Sequence, residues 1–225
     1  MSWWEFWKPK KERLDFIRQF LELNAQSIPG IRGIDQLNFT VLDTETTGFD
    51  PVKDSILSFG AVQISGMKIQ ISTAVEWYPL TENTSRKTAP IHGLVEIAHP
   101  LEVEDFSKRL LEYFGNSILV GHHVSFDLQM LGKLLAHYGI SQFPNPVIDT
   151  LRLAIRLEHG PNADLSRINM ESYSLDELCK RYGIETDDRH TAAGDAFLTA
   201  QLFLKLLKNC SKKGIFNFKD LMKNY

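Results

Sequence analysis

Asp43 and Glu45 stand two residues apart at the end of an apolar run, Phe39-Thr40-Val41-Leu42, and this is where the sequence first offers chemistry. In a strand, side chains at i and i+2 leave the same face, so two carboxylates would share one small space. At about 4 Å their repulsion is on the order of 4 kcal/mol at an effective dielectric near 20. A bound cation reverses that sign. A second acid, Asp127, follows a short apolar segment, Ile118 to Gly121, through His122-His123-Val124-Ser125-Phe126. A third segment, His190-Thr191-Ala192-Ala193-Gly194-Asp195-Ala196, puts a histidine just before a helix pattern and a carboxylate in its first turn. Gly194 costs roughly 1 kcal/mol relative to alanine inside a helix, which with its alanine neighbours points to close approach of helix and sheet. Each feature also has a plain reading. One acid of the first pair could cap a turn while the other is solvated, Asp127 could simply favour a helix dipole, and His190 could be an ordinary exposed loop histidine.

These residues need elements to position them. The pattern predicts a strand over 39–43, a turn-rich loop Thr46-Thr47-Gly48-Phe49-Asp50-Pro51, and two apolar runs, Ser55 to Ile64 and Gln70 to Trp77, flanking a hairpin signal at Ser65-Gly66. Helical periodicity follows at 103–114, ended by Gly115-Asn116, then a strand at 118–121 and a helix over 126–138. A brief strand at Val147-Ile148 precedes helices near 151–157, 174–182 and 192–207. The fold class is therefore α/β: a mixed sheet of about five strands flanked by helices, antiparallel at first and parallel where strands and helices alternate. Ends of such strands are where α/β folds place their ligands.

Composition narrows the classes. The 225 residues carry 25 Lys and Arg against 28 Asp and Glu, a net charge of −3, which excludes a polybasic wrapper of nucleic acid. With 43% hydrophobic and 24% charged residues, wholesale disorder, collagen and coiled coil are excluded too. Two cysteines, Cys179 and Cys210, build neither a disulfide framework nor a zinc site, and they fit a reducing compartment. No apolar run approaches ~18 residues and the N-terminus does not read as a secretory signal, so a soluble, cytoplasmic protein is expected.

Taken together, Asp43-Thr44-Glu45-Thr46-Thr47-Gly48, His122 through Asp127, and His190 with Asp195 resemble the three motifs of the DEDDh class of 3′ to 5′ exonucleases, which includes polymerase III epsilon, exonuclease T-like and oligoribonuclease enzymes. The likeness covers about residues 38–207, with weaker matches at Ile91-His92-Gly93-Leu94, Asp149-Thr150-Leu151 and Ser174 to Cys179. It implies a ribonuclease H-like fold, with Asp43, Glu45, Asp127 and Asp195 as metal-binding carboxylates and His190 as general base. Two Mg²⁺ or Mn²⁺ ions about 3.5 to 4 Å apart would activate water and stabilise the leaving oxygen, and hard oxygen donors suit those ions. Thr46, Ile91 and His92 are implied contacts to the terminal nucleotide. Phe126, beside Asp127, could stack on a base or serve as a core phenylalanine. His123 departs from the family, which often carries asparagine there.

The implied reaction is hydrolysis from a 3′ end to nucleoside 5′-monophosphates, with single-stranded DNA expected over RNA and a role in proofreading or repair. The nearest rival is an exoribonuclease of the oligoribonuclease or RNase T type, and the rival of another class is a non-catalytic nucleic-acid or polymerase-docking module. Removing Asp195 is expected to relieve like charge in the metal-free fold. Around a domain of residues 37–210 lie an extension, 1–36, and a basic tail, 211–225. The extension carries Trp3, Trp4, Phe6 and Trp7 beside lysines. It could fold back on the core, meet a polymerase or another protein, or, least expected, touch a membrane. Residues 205–225 hold six lysines against Asp220, a charge of +5, either a solvated helix end or a brush for nucleic-acid backbone. About 30 residues follow Asp195, little room for a long polymerase-binding tail.

Overall fold

The computed structural model describes residues 14–81, 100–186 and 189–223. Five strands form one sheet in the order β3-β2-β1-β4-β5. β1 (Phe39–Thr46), β2 (Ile56–Ser65) and β3 (Lys68–Trp77) are the antiparallel meander, while β4 (Ile118–Gly121) and β5 (Val147–Asp149) add in parallel on the other side of β1. The hairpin between β2 and β3 turns on Gly66 and Met67, at φ 57° and 59°. Two successive left-handed residues are what a two-residue turn needs to match strand twist, so the turn sits one residue later than Ser65-Gly66.

Helices cover both faces. α1 (Asp15–Leu23), α2 (Val103–Phe114) and α3 (Ser125–Leu135) lie on one side; α4 (Thr150–His159), α5 (Leu175–Tyr182), the long α6 (Ala192–Lys212) and the short α7 (Phe218–Leu221) lie on the other. Alternation along β1 decides which core each residue enters. Phe39 and Val41 join α6 residues such as Phe203, whose ring meets Phe39 edge-on at 5.0 Å, whereas Leu42 joins Phe59, Phe106 and Phe114 beneath α2. Each fully buried Leu or Phe contributes about 2 kcal/mol of transfer free energy. The expected helix over 126–138 is α3 continued by a 3-10 turn, Ala136–Tyr138, and stopped at Gly139 with φ 85°.

The segments 30–34 and 216–219 meet. Gly33 bridges Asn217, and the amides of Phe218 and Lys219 donate to the carbonyls of Arg32 and Gly30 at 2.9 Å. Ile17 and Phe20 of α1 are buried against the α2 side of the core. The tryptophans of the extension lie outside the described residues, and no described helix is long and apolar enough to cross a membrane.

One contact sets the position of α6. Asp43 pairs with Gly60 across β1 and β2, so both point to the α6 face. A Cβ on Gly60 would lie 2.0 Å from the Ala192 carbonyl carbon and 2.1 Å from the Ala193 nitrogen. Only a strand without a side chain here admits the helix start at this depth. Gly60→Ala is therefore expected to cost about 3 kcal/mol or more, a fall of about 6 to 12 °C in melting temperature, and calorimetry will show it.

Candidate active site

The seam between β1 and α6 brings Asp195 onto the pair from the strand. Asp43, Glu45 and Asp195 can each offer a carboxylate oxygen within 4.8 Å of the other two. Asp195 is buried, the other two are half-buried, and Thr191 caps α6 by accepting the Gly194 amide at 3.0 Å. Burial holds the Asp43 carboxyl well above the usual carboxylate range, reinforced by the charges of Asp127, Asp195 and Glu45. The Asp195 Oδ1 atom is buried and accepts no well-aligned hydrogen bond. An all-oxygen cluster of mutually repelling carboxylates, whose buried Asp195 Oδ1 meets only the Arg189 guanidinium among the described residues, fits a divalent cation.

Asp127 reaches the same strand end from α3. β4 stops at Gly121 while β1 runs on to Thr46, so the Thr44 amide has no ladder partner on that side. The amide donates instead to Asp127 Oδ1 at 2.9 Å, and the Thr44 hydroxyl donates to the same atom at 2.6 Å. These bonds favour the ionised form, yet burial outweighs them and pushes the Asp127 carboxyl up to about 7. Removing one donor to a carboxylate costs about 1.5 to 3 kcal/mol. Thr44→Val is expected to raise the Asp127 pKa by roughly one to two further pH units, read by carboxyl NMR titration of the metal-free protein.

The loop from β4 to α3 is tied to α4. Thr150 Oγ1 donates to the Gly121 carbonyl at 3.1 Å and lies 2.9 Å from His122 Nδ1. Burial lowers the His122 pKa to about 4, keeping it neutral. Asp149 caps α4, accepting from the Leu151 amide at 3.0 Å and the His123 amide at 3.3 Å. His123 sits at φ 59°. This left-handed region enriches asparagine and histidine alike, so backbone conformation accounts for the histidine where asparagine is common.

His190 is exposed, at φ 70°, immediately before the α6 cap. Thr46 ends β1 at a break in register and donates its hydroxyl to the Gly48 carbonyl at 2.7 Å. Phe126 is half-buried against the α2-side core; Ile91 and His92 fall outside the described residues. Three participants escape a sequence reading. Thr44 is legible only as part of the acidic motif. Arg189, next to His190, contacts Asp195 and forks onto Asp176. Phe49, in the turn-rich loop, is 91% exposed and lies 6.2 Å from the Phe126 ring. That loop is braced: Asp54 accepts from the Thr47 hydroxyl and Asp50 amide, and Lys133 donates to the carbonyls of Val52 and Asp54. The braced loop thus presents an aromatic ring to solvent beside Phe126.

Known proteins are similar to this chain in sequence and in fold. The DNA polymerase III subunit epsilon of Aquifex aeolicus is 32% identical over 172 residues, which is 76% of this chain and 80% of that protein. A PolC-type DNA polymerase III of Thermotoga maritima is 32% identical over 190 residues, 82% of this chain but only 13% of the polymerase. In fold the chain is similar to E. coli Exonuclease I solved with a dT13 oligonucleotide, at a TM-score of 0.60 and 18% identity, covering 80% of this chain and 43% of that one. A family model described as Exonuclease matches residues 40–203, the span holding Asp43, Glu45, Asp127, His190 and Asp195. The chain belongs to the exonuclease family.

Proposed function

We propose that the protein is a metal-dependent 3′ to 5′ exonuclease that trims single-stranded DNA ends to nucleoside 5′-monophosphates, in proofreading or repair. The observation that carries this reading is the convergence of Asp43, Glu45 and Asp195 within 4.8 Å, from a strand and a helix far apart in sequence. Asp127 completes the acidic set. These four carboxylates would hold two Mg²⁺ or Mn²⁺ ions, which when bound would supply charge neutralisation at the scissile phosphate and a nucleophilic water at neutral pH. The chain supplies the rest. His190, exposed immediately before α6, is the base that would take the proton of the attacking water. Thr46, Ile91 and His92 contact the terminal nucleotide. Phe49 and Phe126 offer aromatic faces to bases, where stacking contributes about 1 to 3 kcal/mol per base without reading sequence. A net charge of −3 suits a short end held at the acids better than a long duplex tracked along a basic groove.

The names of the relatives favour DNA and a polymerase as partner, with the aromatic residues of the extension as its candidate contact. The test compares 5′-labelled DNA and RNA oligomers of one sequence, with Mg²⁺ or Mn²⁺ and with chelator. The expected result is a metal-dependent ladder shortening from the 3′ end of DNA, with 5′-monophosphates released. Faster loss of RNA would transfer the substrate to the exoribonuclease reading. Inertness of both oligomers would remove catalysis altogether.

A further inference from the structure

Arg189 stands in the acidic centre without belonging to the acidic set. Its Nε donates to Asp176 Oδ1 at 2.6 Å and its Nη2 to Asp176 Oδ2 at 3.1 Å, a two-pronged grip on a side chain at the start of α5. The third nitrogen, Nη1, rests against Asp195 Oδ1. The two ends differ in environment. Asp176 is 60% exposed, Asp195 only 12% and Arg189 18%. Apart from its ion pair with Arg189, Asp195 Oδ1 has no partner among the described residues. The guanidinium is thus anchored at the rim and leans inward, where its charge offsets the crowding of carboxylates around Asp43. A planar fork with five fixed donors suits this double role; a point charge does not.

A hard divalent ion takes its carboxylate oxygens at about 2.0 to 2.6 Å, so an ion on Asp195 meets this guanidinium directly. We propose that Arg189 is a positioning residue: tethered by Asp176, it serves as the internal counter-ion of Asp195 in the metal-free protein and yields that carboxylate to the entering metal. The proposal rests on the metal reading of the four acids. It makes Arg189 a competitor of the ion, so that it sets metal affinity by opposing it, while keeping the empty site ordered. Because the grip on Asp176 survives displacement, the exchange breaks one contact and not three.

The test is Mn²⁺ titration, by calorimetry and by electron paramagnetic resonance, of the metal-free full chain at pH 8 without substrate. Arg189→Gln is expected to bind Mn²⁺ about tenfold more tightly than wild type, equivalent to about 1.4 kcal/mol, while its metal-free form melts lower. Arg189→Lys, which keeps charge and loses the fork, is expected to fall between them, and it carries the comparison alone should the glutamine variant fail to fold. Asp176→Asn is expected to change Mn²⁺ affinity in wild type and to lose that effect when Arg189→Gln is present. Equal or weaker Mn²⁺ binding by a folded Arg189→Gln, the result of a merely structural arginine, overturns the proposal. Failure of both wild type and variant to bind Mn²⁺ overturns the metal reading, and the counter-ion role with it.

Discussion

Asp43→Asn and Asp195→Ala are each expected to lower kcat by about a thousandfold. Charge stabilisation by bound metal amounts to several kcal/mol of the barrier, and each 1.36 kcal/mol is a factor of ten. Both substitutions strike the trio whose oxygens lie within 4.8 Å. Their effects on the metal-free fold should diverge. Asp43 is destabilised by burial and by three neighbouring acids, so its neutral isostere should melt higher than wild type without metal. The expectation that loss of Asp195 relieves like charge meets the Arg189 contact. Truncating Asp195 leaves a largely buried guanidinium to Asp176 alone, and the two effects offset. Turnover on a labelled DNA oligomer, beside melts with and without Mn²⁺, checks both halves. Hydrolysis at the wild-type rate in either variant would remove that residue from the site.

The metal-free protein is also expected to lose stability as pH rises toward neutrality, against the usual trend for carboxylates. An aspartate in the unfolded chain ionises near ~3.9, whereas Asp127 in the fold holds its proton to about 7. Between those values the folded state binds more protons than the unfolded one, so stability falls with pH. At about 1.4 kcal/mol per pH unit, Asp127 alone accounts for on the order of 4 kcal/mol by pH 7 or above, and Asp43 acts in the same direction. His122 works the other way. Its pKa near 4 means that stability rises between pH 4 and the ordinary histidine value of about 6.5, where only the unfolded state is charged. The clean measurement is therefore the difference between wild type and Asp127→Asn in chelator. The variant should gain on wild type from pH 4 to pH 7, reaching about 10 °C in melting temperature. Saturating Mn²⁺ should abolish the gain, because metal binding requires the ionised acids. A difference independent of pH would mean that Asp127 is ionised throughout.

The sheet and its helices are legible in the sequence because amphipathic periodicity is local. The strand at 118–121 and the helix at 103–114 appear at those residues. The acids at 43, 45, 127 and 195 are legible for a related reason: each lies at a predicted strand or helix end. What periodicity cannot convey is which groups meet across the fold. Thr44 reads as a strand residue until the shortness of β4 frees its amide for Asp127. Arg189 reads as one more surface charge until α5 and α6 set Asp176 and Asp195 on either side of it. Phe49 is visible as an aromatic in a turn, but its exposure depends on the brace from Asp54 and Lys133. The small residues at the start of α6 did announce a close approach. Its counterpart, Gly60, is an unremarkable strand glycine until register puts it opposite Asp43.

The seam at Gly60 also bears on how the molecule comes into being. Asp43 belongs to the first strand and Asp195 to the last long helix, while the bond from Thr44 to Asp127 spans 83 residues. Contacts so distant along the chain form only after much loop entropy has been surrendered. A polypeptide still emerging from the ribosome, with α6 unmade, therefore has Asp43 and Glu45 without Asp195. The acidic cluster is therefore a late product of folding, complete only once the last long helix has docked.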